Sequence, residues 1–355
     1  MRNNGKPKVV SLFSGCGGMD LGFQQAGYEL IWANDFDKSA CETYSMNIGE
    51  HIRYGDITKL DLKKIPDCDV MIGGFPCQDF SMIWKRGGLE TNRGNLYKYF
   101  VEAVRIKKPK LFVAENVKGL LTANKGMAVK TITEDFAALG YKVDVDLYNF
   151  ADYGVPQLRQ RIFIVGVRKD LDWNFEKPLP THIDKNYVSS GKALVGVKKV
   201  KFNNEHQNIA VKTIKMLKLI PEGGNFTDIP KGHPLYVKGM ISHVYRRLNR
   251  KKPSTTIIAG GGGGTWGYHF SEPRPLTNRE RARLFCYPDD FIFSGTISQV
   301  RKQIGNSVPP LAARHLALSL MGAFKAKSNL RKLSDKKSNS QVLGVHKQEL
   351  KYRAI

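Results

Sequence analysis

The chain has 355 residues, enough for one large domain and a smaller companion, and its 41% hydrophobic content is that of an ordinary soluble globular protein. Its 56 Lys and Arg against 32 Asp and Glu give a formal charge of +24, a field that attracts a polyanion, nucleic acid first, unless it merely solvates the surface. The five cysteines show no zinc spacing and a chain this long needs no disulfide staples, and no apolar stretch reaches the length of a membrane span or a signal segment, so a soluble protein of a reducing cytosol is expected.

Val9 to Phe13 reads as a short buried strand, Ser14-Gly15-Cys16-Gly17-Gly18 as a glycine loop, and Asp20 to Ala26 as a helix closed by Gly27. A second strand, Glu29 to Ala33, ends in Asn34-Asp35-Phe36-Asp37. A helix from Ala40 to Met46 follows, then a third strand, His51 to Tyr54, ending at Gly55-Asp56. Strand and helix alternating at this spacing predict βαβ units and a mainly parallel sheet, an α/β fold. The glycine loop departs from a dinucleotide fingerprint, because Asp20 stands where GxGxxG needs its third glycine. Asp35 nonetheless ends the next strand where an acid binds ribose hydroxyls. Phe36 can stack on an adenine, and Asp56 can accept a hydrogen bond from the adenine amino group. Together they describe an adenosine site without a pyrophosphate cradle, which suits S-adenosylmethionine.

The apolar run Val70-Met71-Ile72 reads as a buried strand leading into Gly73-Gly74-Phe75-Pro76-Cys77-Gln78-Asp79-Phe80-Ser81. The glycines let the backbone turn and approach a ligand, and Pro76 holds Cys77 just past the C-terminal edge of the sheet. Alone, such a thiol is by default a buried structural cysteine, with a nucleophile as the alternative. Met82 to Arg93 combines Gly87 and Gly88 with Lys85, Arg86 and Arg93, and Asn95 to Lys107 is an amphipathic helix. The strand Leu111 to Ala114 carries Glu115-Asn116 at the same edge as Cys77. After a helix from Met127 to Leu139 and a strand from Tyr141 to Phe150, Gln157, Arg159 and Arg161 alternate into the strand Ile162 to Gly166. Alternation puts both guanidiniums on one face, which calls for an anion or a carboxylate between them.

From about Lys169 the βα rhythm stops. Residues 172–275 are dense in Lys, Arg, Asn, Gly and Pro, with basic clusters at Lys198-Lys199-Val200-Lys201 and Arg246 to Lys252. Phosphate contact is one use of such clusters and plain solvation the other. The run Gly260 to Gly264, followed by Trp266, Tyr268 and His269, is either a floppy linker or backbone lying close against DNA. Thr277 and Glu280 form a capping box for a helix running to Phe285, and Ile304-Gly305-Asn306-Ser307-Val308-Pro309-Pro310 enters a helix from Leu311 to Phe324. The basic tail from Lys325 is expected to be partly disordered.

Six blocks, in order, now resemble the DNA (cytosine-5)-methyltransferase family of bacterial restriction-modification type. They are Phe13-Ser14-Gly15-Cys16-Gly17-Gly18, Gly74-Phe75-Pro76-Cys77-Gln78, Glu115-Asn116-Val117, Gln157-Leu158-Arg159-Gln160-Arg161, Arg279-Glu280-Arg281-Ala282-Arg283-Leu284 and Gln303-Ile304-Gly305-Asn306-Ser307-Val308. Any one block has modest specificity, whereas all six in sequence are very specific. Ile83-Trp84 departs from the small, polar residues the pattern has there. The resemblance implies a Rossmann-like S-adenosylmethionine-dependent methyltransferase fold with a mainly parallel sheet. It divides the chain into a catalytic and cofactor domain (1–171), a target-recognition domain (172–275), a return segment (276–324) that completes the recognition domain and the cofactor pocket, and the tail (325–355). It assigns S-adenosyl-L-methionine to Phe13, Gly15, Gly17, Gly18, Asp35, Phe36, Asp56, Ile57, Pro76, Leu96, Asn306, Ser307 and Val308, and catalysis to Cys77, Glu115, Asn116, Arg159 and Arg161. DNA contacts are expected from Gln78, Ser81, Lys85, Arg86, Arg93, Gln157, Arg246, Arg247, Trp266 and Tyr268, with no metal.

The chemistry agrees with those residue types. C5 of cytosine is a poor nucleophile until a thiolate adds at C6, the task implied for Cys77. Electrons pushed into the ring need a proton or a strong hydrogen bond at N3, which Glu115 can supply if burial raises its pKa. Arg159 and Arg161 would favour the thiolate, and Asn116 would position a base flipped out of the duplex. The partners implied are double-stranded DNA and a cognate restriction endonuclease acting on the same site without direct binding, with a monomer on DNA in the bacterial cytosol and nucleoid, and no membrane. The alternatives are a cytosine-5 methyltransferase of tRNA and a catalytically silent DNA-binding homologue. Methylation of exocyclic amines is disfavoured, since Val308-Pro309-Pro310-Leu311 lacks the acid and the aromatic residue that chemistry uses.

Overall fold

Short β-branched and apolar runs, too brief for helices, build the centre of a seven-stranded sheet in the order β3-β2-β1-β4-β5-β8-β6. The structure is a computed structural model that describes residues 5–76, 96–236, 244–260 and 267–324. The strands are β1 (Lys8–Leu12), β2 (Glu29–Asp35), β3 (Ile52–Tyr54), β4 (Val70–Gly73), β5 (Leu111–Val117), β6 (Tyr141–Asn149) and β8 (Gln160–Arg168). β1 to β5 pair in parallel, and β8 runs antiparallel to both β5 and β6. From β1 the chain winds outward to β2 and β3 and then crosses back to β4. The switch point therefore falls between β1 and β4, where open α/β sheets bind ligands.

Helices cover both faces. α1 (Gly18–Gln25) packs with Val9, Val70, Ile72 and the late helix α8 (Pro310–Leu320). On the other face α3 (Leu96–Lys107) and α4 (Met127–Ala138) bury Phe100, Val104, Ile132 and Phe136 against Val10, Met71 and Phe112. α2 (Lys38–Asn47) follows β2, capped by Asp37, whose carboxylate accepts from the Ala40 amide. α1 and α8 touch backbone to backbone at Gly22, where a Cβ would stand 2.5 Å from the Pro310 carbonyl oxygen and 2.5 Å from the Ala313 Cβ.

Two features differ from the sequence reading. The strand expected to run unbroken through Gln157, Arg159 and Arg161 is interrupted at Arg159. β7 (Gln157–Leu158) leaves the main sheet to pair with β9 (Ser254–Thr255), and β8 begins at Gln160. A helix that the reading omitted, α7 (Ile297–Asn306), precedes Ser307, and Thr296 and Gln299 cap it reciprocally. The capping box at Thr277 and Glu280 does open a helix, α6 (Asn278–Leu284).

The described residues of 172–275 contain little regular structure beyond α5 (Val211–Leu219), which packs Met216 and Leu217 with Ile220, Ile229 and Tyr268 in a small core of their own. A further cluster joins this segment to the large domain, with Leu248 and Ile257 meeting Leu284, Phe285, Tyr287 and Ile304, and these meeting Cys16 and Leu21 of the glycine loop and α1.

Candidate active site

Three strand ends on one side of the switch point are laced together. The loop after β1 bends through positive φ at Phe13 (55°), Gly15 (55°) and Gly17 (86°). Its Gly15 amide donates to Asp35 Oδ2 at 2.8 Å, and its Ser14 amide donates to the Asn34 carbonyl at 3.0 Å. The Asn34 side chain donates in turn to the carbonyls of Arg53 (2.8 Å) and Gly55 (2.9 Å). Burial pushes the Asp35 carboxyl up, against the pull of the Asp37 and Gly15 amides. Asp35 is nearly buried, whereas Phe36 beside it is 62% exposed. Asp56 is exposed, and hydrogen bonds from Thr58 hold it below the usual carboxylate range, while Ile57 is buried behind it.

The return segment closes this side. A Cβ on Gly18 would stand 2.3 Å from the Val308 carbonyl oxygen, 2.5 Å from the Tyr287 hydroxyl and 3.1 Å from the Ser307 Cβ, so only glycine fits there. The Tyr287 hydroxyl also lies 3.3 Å from Cys16 Sγ. Asn306, at the end of α7, is exposed. Lys302 of the same helix reaches Asp37 Oδ2 at 2.9 Å and lies 5.9 Å from the centre of the Phe36 ring. Tyr287 and Lys302 were not singled out in the sequence. Only the helical register of α7 could have pointed to Lys302, and Tyr287 has no local signal.

On the other side of β4 lies a buried ion pair. Arg161 stands opposite Val117 in the β5–β8 ladder, one diagonal step from Glu115 on the same face. Its Nε meets Glu115 Oε1 at 3.0 Å, with 15% and 12% of the two side chains exposed. Burial pushes the Glu115 carboxyl up, while Arg161 and then Arg159 pull it back. The chain leaving β4 is seated on this pair. A Cβ at Gly74 would lie 3.1 Å from Glu115 Oε2, and Asn116 Nδ2 donates to the Phe75 carbonyl at 2.9 Å. Pro76 is exposed at this edge, and Leu96 begins α3 and packs against the second core.

Several expected site residues have other work. Arg159 is 1% exposed and donates to the carbonyls of Ile257 (3.0 Å), Gly305 (2.7 Å) and Ser307 (3.4 Å). Its guanidinium lies over the Phe285 ring, 5.0 Å from the centroid, and burial pushes its pKa down to about 9, which leaves it a cation at neutral pH. It therefore ties the catalytic sheet to the recognition segment and the return segment, and does not pair with Glu115 as Arg161 does. Gln157, expected at DNA, is buried, donating to the Leu284 carbonyl at 3.3 Å and accepting from the Ile257 amide at 3.1 Å. Arg247, also expected at DNA, donates to the carbonyls of His269, Leu217, Ile220 and Phe270. Tyr268 is fully buried in the small core, and Arg246 is half-buried beside it. For Arg159, Gln157 and Arg247 the reason is common: irregular backbone leaves carbonyls that a sheet would have paired, and long polar side chains fold back to satisfy them. Cys77, Gln78, Ser81, Lys85, Arg86, Arg93 and Trp266 lie outside the described residues. The four described cysteines, Cys16, Cys41, Cys68 and Cys286, have thiols that burial pushes up to about 12, too high for a nucleophile at neutral pH.

The laced strand ends and the buried Glu–Arg pair flanking one strand can be compared with known proteins. A model of the C-5 cytosine-specific DNA methylase family matches residues 7–322. The chain belongs to this family of DNA cytosine-5 methyltransferases. It is 58% identical over 330 residues to the Type II methyltransferase M.NgoFVII of Neisseria gonorrhoeae, covering 91% of this chain and 88% of that relative. It is 43% identical over 338 residues to the Type II methyltransferase M.BbvI of Brevibacillus brevis, covering 88% and 90%. The crystal structure of a DNA modification methyltransferase encoded within an E. coli prophage superposes with a TM-score of 0.70 at 24% identity, over 90% of this chain and 100% of that one, which speaks to the fold alone. As a DNA cytosine-5 methyltransferase the enzyme draws its methyl group from S-adenosylmethionine. The residues present fit that cofactor. The space in front of Gly15 is open, the Gly15 amide is fixed by Asp35, and the Phe36 ring is exposed beside it. S-adenosylmethionine, when bound, supplies a methyl group made electrophilic by a positive sulfur.

Proposed function

We propose that this methyltransferase modifies a flipped-out cytosine within a short specific sequence of duplex DNA, through a covalent Cys77–C6 adduct, as the modification enzyme of a type II restriction-modification system. Cys77 Sγ adds to C6 and pushes electron density toward N3, where Glu115 donates a proton or a strong hydrogen bond. C5 then takes the methyl group, a base (water suffices) removes the C5 proton, the freed electron pair re-forms the C5–C6 double bond and expels the Cys77 thiolate, and a proton given to N3 returns to Glu115. Arg161 orients Glu115 and restrains its pKa. Asn116 holds the backbone of the Phe75 turn. Arg159 positions the surrounding segments without touching the reacting atoms. Asp35, Phe36, Asp56 and the loop at Gly15 to Gly18 hold the adenosine end of the cofactor, with Ser307 and Val308 behind the loop. The basic residues of 172–275 meet phosphates, and the stretch Lys85 to Arg93 serves closure over the DNA.

The observation that supports this reading most is the seating of Gly74 and Phe75 on Glu115 and Asn116, because the backbone so held runs directly into Pro76-Cys77. The test is trapping on duplex DNA carrying 5-fluorocytosine, whose C5 holds no removable proton. With S-adenosylmethionine the wild-type enzyme is expected to form a covalent adduct and Cys77→Ser none. No wild-type adduct overturns the covalent mechanism, and an adduct in Cys77→Ser overturns the role of Cys77. Bisulfite sequencing of DNA from cells expressing the enzyme reads out the modified base and its sequence context. Methylation scattered without sequence preference would remove the restriction-modification role.

A further inference from the structure

Beside the glycine loop stands a carboxylate to which the mechanism gives no task. Asp20 is fully buried in the first turn of α1, where the helix dipole favours an anion. Its Oδ1 accepts from the Tyr44 hydroxyl at 2.9 Å, and the Ser11 hydroxyl beside it also favours the anion. The Tyr44 hydroxyl lies 3.0 Å from His51 Nε2. A phenol has one proton to give. Donated to Asp20, it leaves the Tyr44 oxygen to accept, so the chain runs from His51 Nε2–H through Tyr44 O–H to Asp20. The Tyr44 ring also supports the loop itself, since a Cβ on Gly17 would come within 2.9 Å of its Cδ2.

The groups that face Asp20 are Ser11 from β1, Tyr44 from α2, Asp35 from β2, Cys16 from the loop and Tyr287 from the return segment, all neutral or acidic. His51, behind Tyr44, is held below its ordinary range by burial and by Arg53, and so is neutral near pH 7. Burial pushes Asp20 up to about 6, which still leaves it ionised at neutral pH. A buried anion faced only by neutral and acidic groups is stabilised further when a cation is brought near it. The cofactor is such a cation. When its methyl group leaves, the C–S bonding pair stays on sulfur and the positive charge disappears.

We propose that Asp20 is a positioning charge of the cofactor pocket: its buried carboxylate, held by Tyr44, favours the cationic sulfonium of S-adenosylmethionine over the neutral thioether that remains after transfer. Product release is thereby built into the pocket, because the spent cofactor no longer answers the buried anion.

Binding calorimetry on the full chain tests this with S-adenosylmethionine and S-adenosylhomocysteine. Asp20→Asn keeps the shape and the acceptor for Tyr44 but removes the charge. The preference for S-adenosylmethionine is expected to fall about tenfold in the variant, as loss of one charge–charge interaction at intermediate dielectric allows. The affinity for S-adenosylhomocysteine should change by less than about twofold. Equal loss for both ligands, which a merely structural role would produce, overturns the proposal, as does an unchanged ratio. If Asp20→Asn does not fold, the wild-type ratio is followed with falling pH, where protonation of Asp20 should erase the preference through about 6. Asp35 titrates in the same direction, and Tyr44→Phe separates the two. Loss of the Tyr44 hydrogen bond destabilises the Asp20 anion and must move the transition to higher pH. A flat wild-type ratio, or a transition that Tyr44→Phe leaves in place, overturns the assignment to Asp20.

Discussion

The edge of the parallel sheet and the segment 172–275 use the same residue types in opposite ways. At the sheet edge the backbone is paired strand to strand, so Glu115, Arg161 and Asp35 can turn their charged ends toward one another or toward a ligand. In the irregular segment and its neighbours the backbone lacks such partners, and arginines are taken up in supplying them. Arg247 donates to four carbonyls, and Arg279, fully buried, donates to those of Phe202, Pro288 and Phe291. A positively charged sequence is thus not the same as a positively charged surface. The residues available to a polyanion are those left over once the backbone has been satisfied, such as Lys198, whose side chain is 76% exposed although it pairs with Glu272.

That contrast can be broken at several points. The largest effect is expected from Glu115→Gln, which keeps the shape against Gly74 but removes the acid. Turnover should fall by ~10²–10⁴-fold while DNA affinity stays close to wild type, measured by methyl transfer and by filter binding. A rate within a few-fold of wild type would exclude the N3 role. Arg247→Met should instead act on stability, costing about 3 kcal/mol in urea unfolding because buried carbonyls lose their donor. If that variant unfolds like wild type but binds DNA poorly, Arg247 belongs with the DNA-facing residues after all. Phe36→Ala should weaken S-adenosylmethionine binding by about tenfold, in line with ~1–3 kcal/mol for stacking on one base, and leave DNA binding unchanged. Lys198→Ala should be smallest, within about 0.5 kcal/mol in stability, since an exposed ion pair contributes little. Its effect is expected in the salt dependence of DNA binding, a slope lower by about one for a lost phosphate contact. Flat wild-type affinity between low and moderate salt would count against phosphate docking altogether.

The strand ends were the most legible part of the molecule. Short apolar runs punctuated by glycines announced β1 and β4, and the capping box at Thr277 and Glu280 announced α6, because these signals are local. α7 carries the same kind of box at Thr296 and Gln299, which the sequence reading leaves unused, and it contains a glycine at position 305. That glycine is required for a tertiary reason: a Cβ there would stand 2.3 Å from the Ala259 amide nitrogen. Arg159 stays within electrostatic reach of Arg161 and Glu115, but its hydrogen bonds go to backbone carbonyls for a related cause. Strict alternation assumes an unbroken strand, and β7 leaves the sheet to pair with β9, nearly a hundred residues away in the chain.

By itself, the sequence determined the α/β class, the order of the six blocks and the residue types at the sheet edge, because periodicity, glycine punctuation and motif spacing are properties of neighbours along the chain. Only the tertiary structure decided which charges are used for chemistry and which for architecture. It paired Arg161 with Glu115, sent Arg159 and Arg247 to backbone carbonyls, set Tyr287 and Val308 against Gly18, and buried Asp20 among neutral and acidic groups. The physical reason is that a buried polar group is defined by what faces it, and those partners arrive from distant parts of the chain.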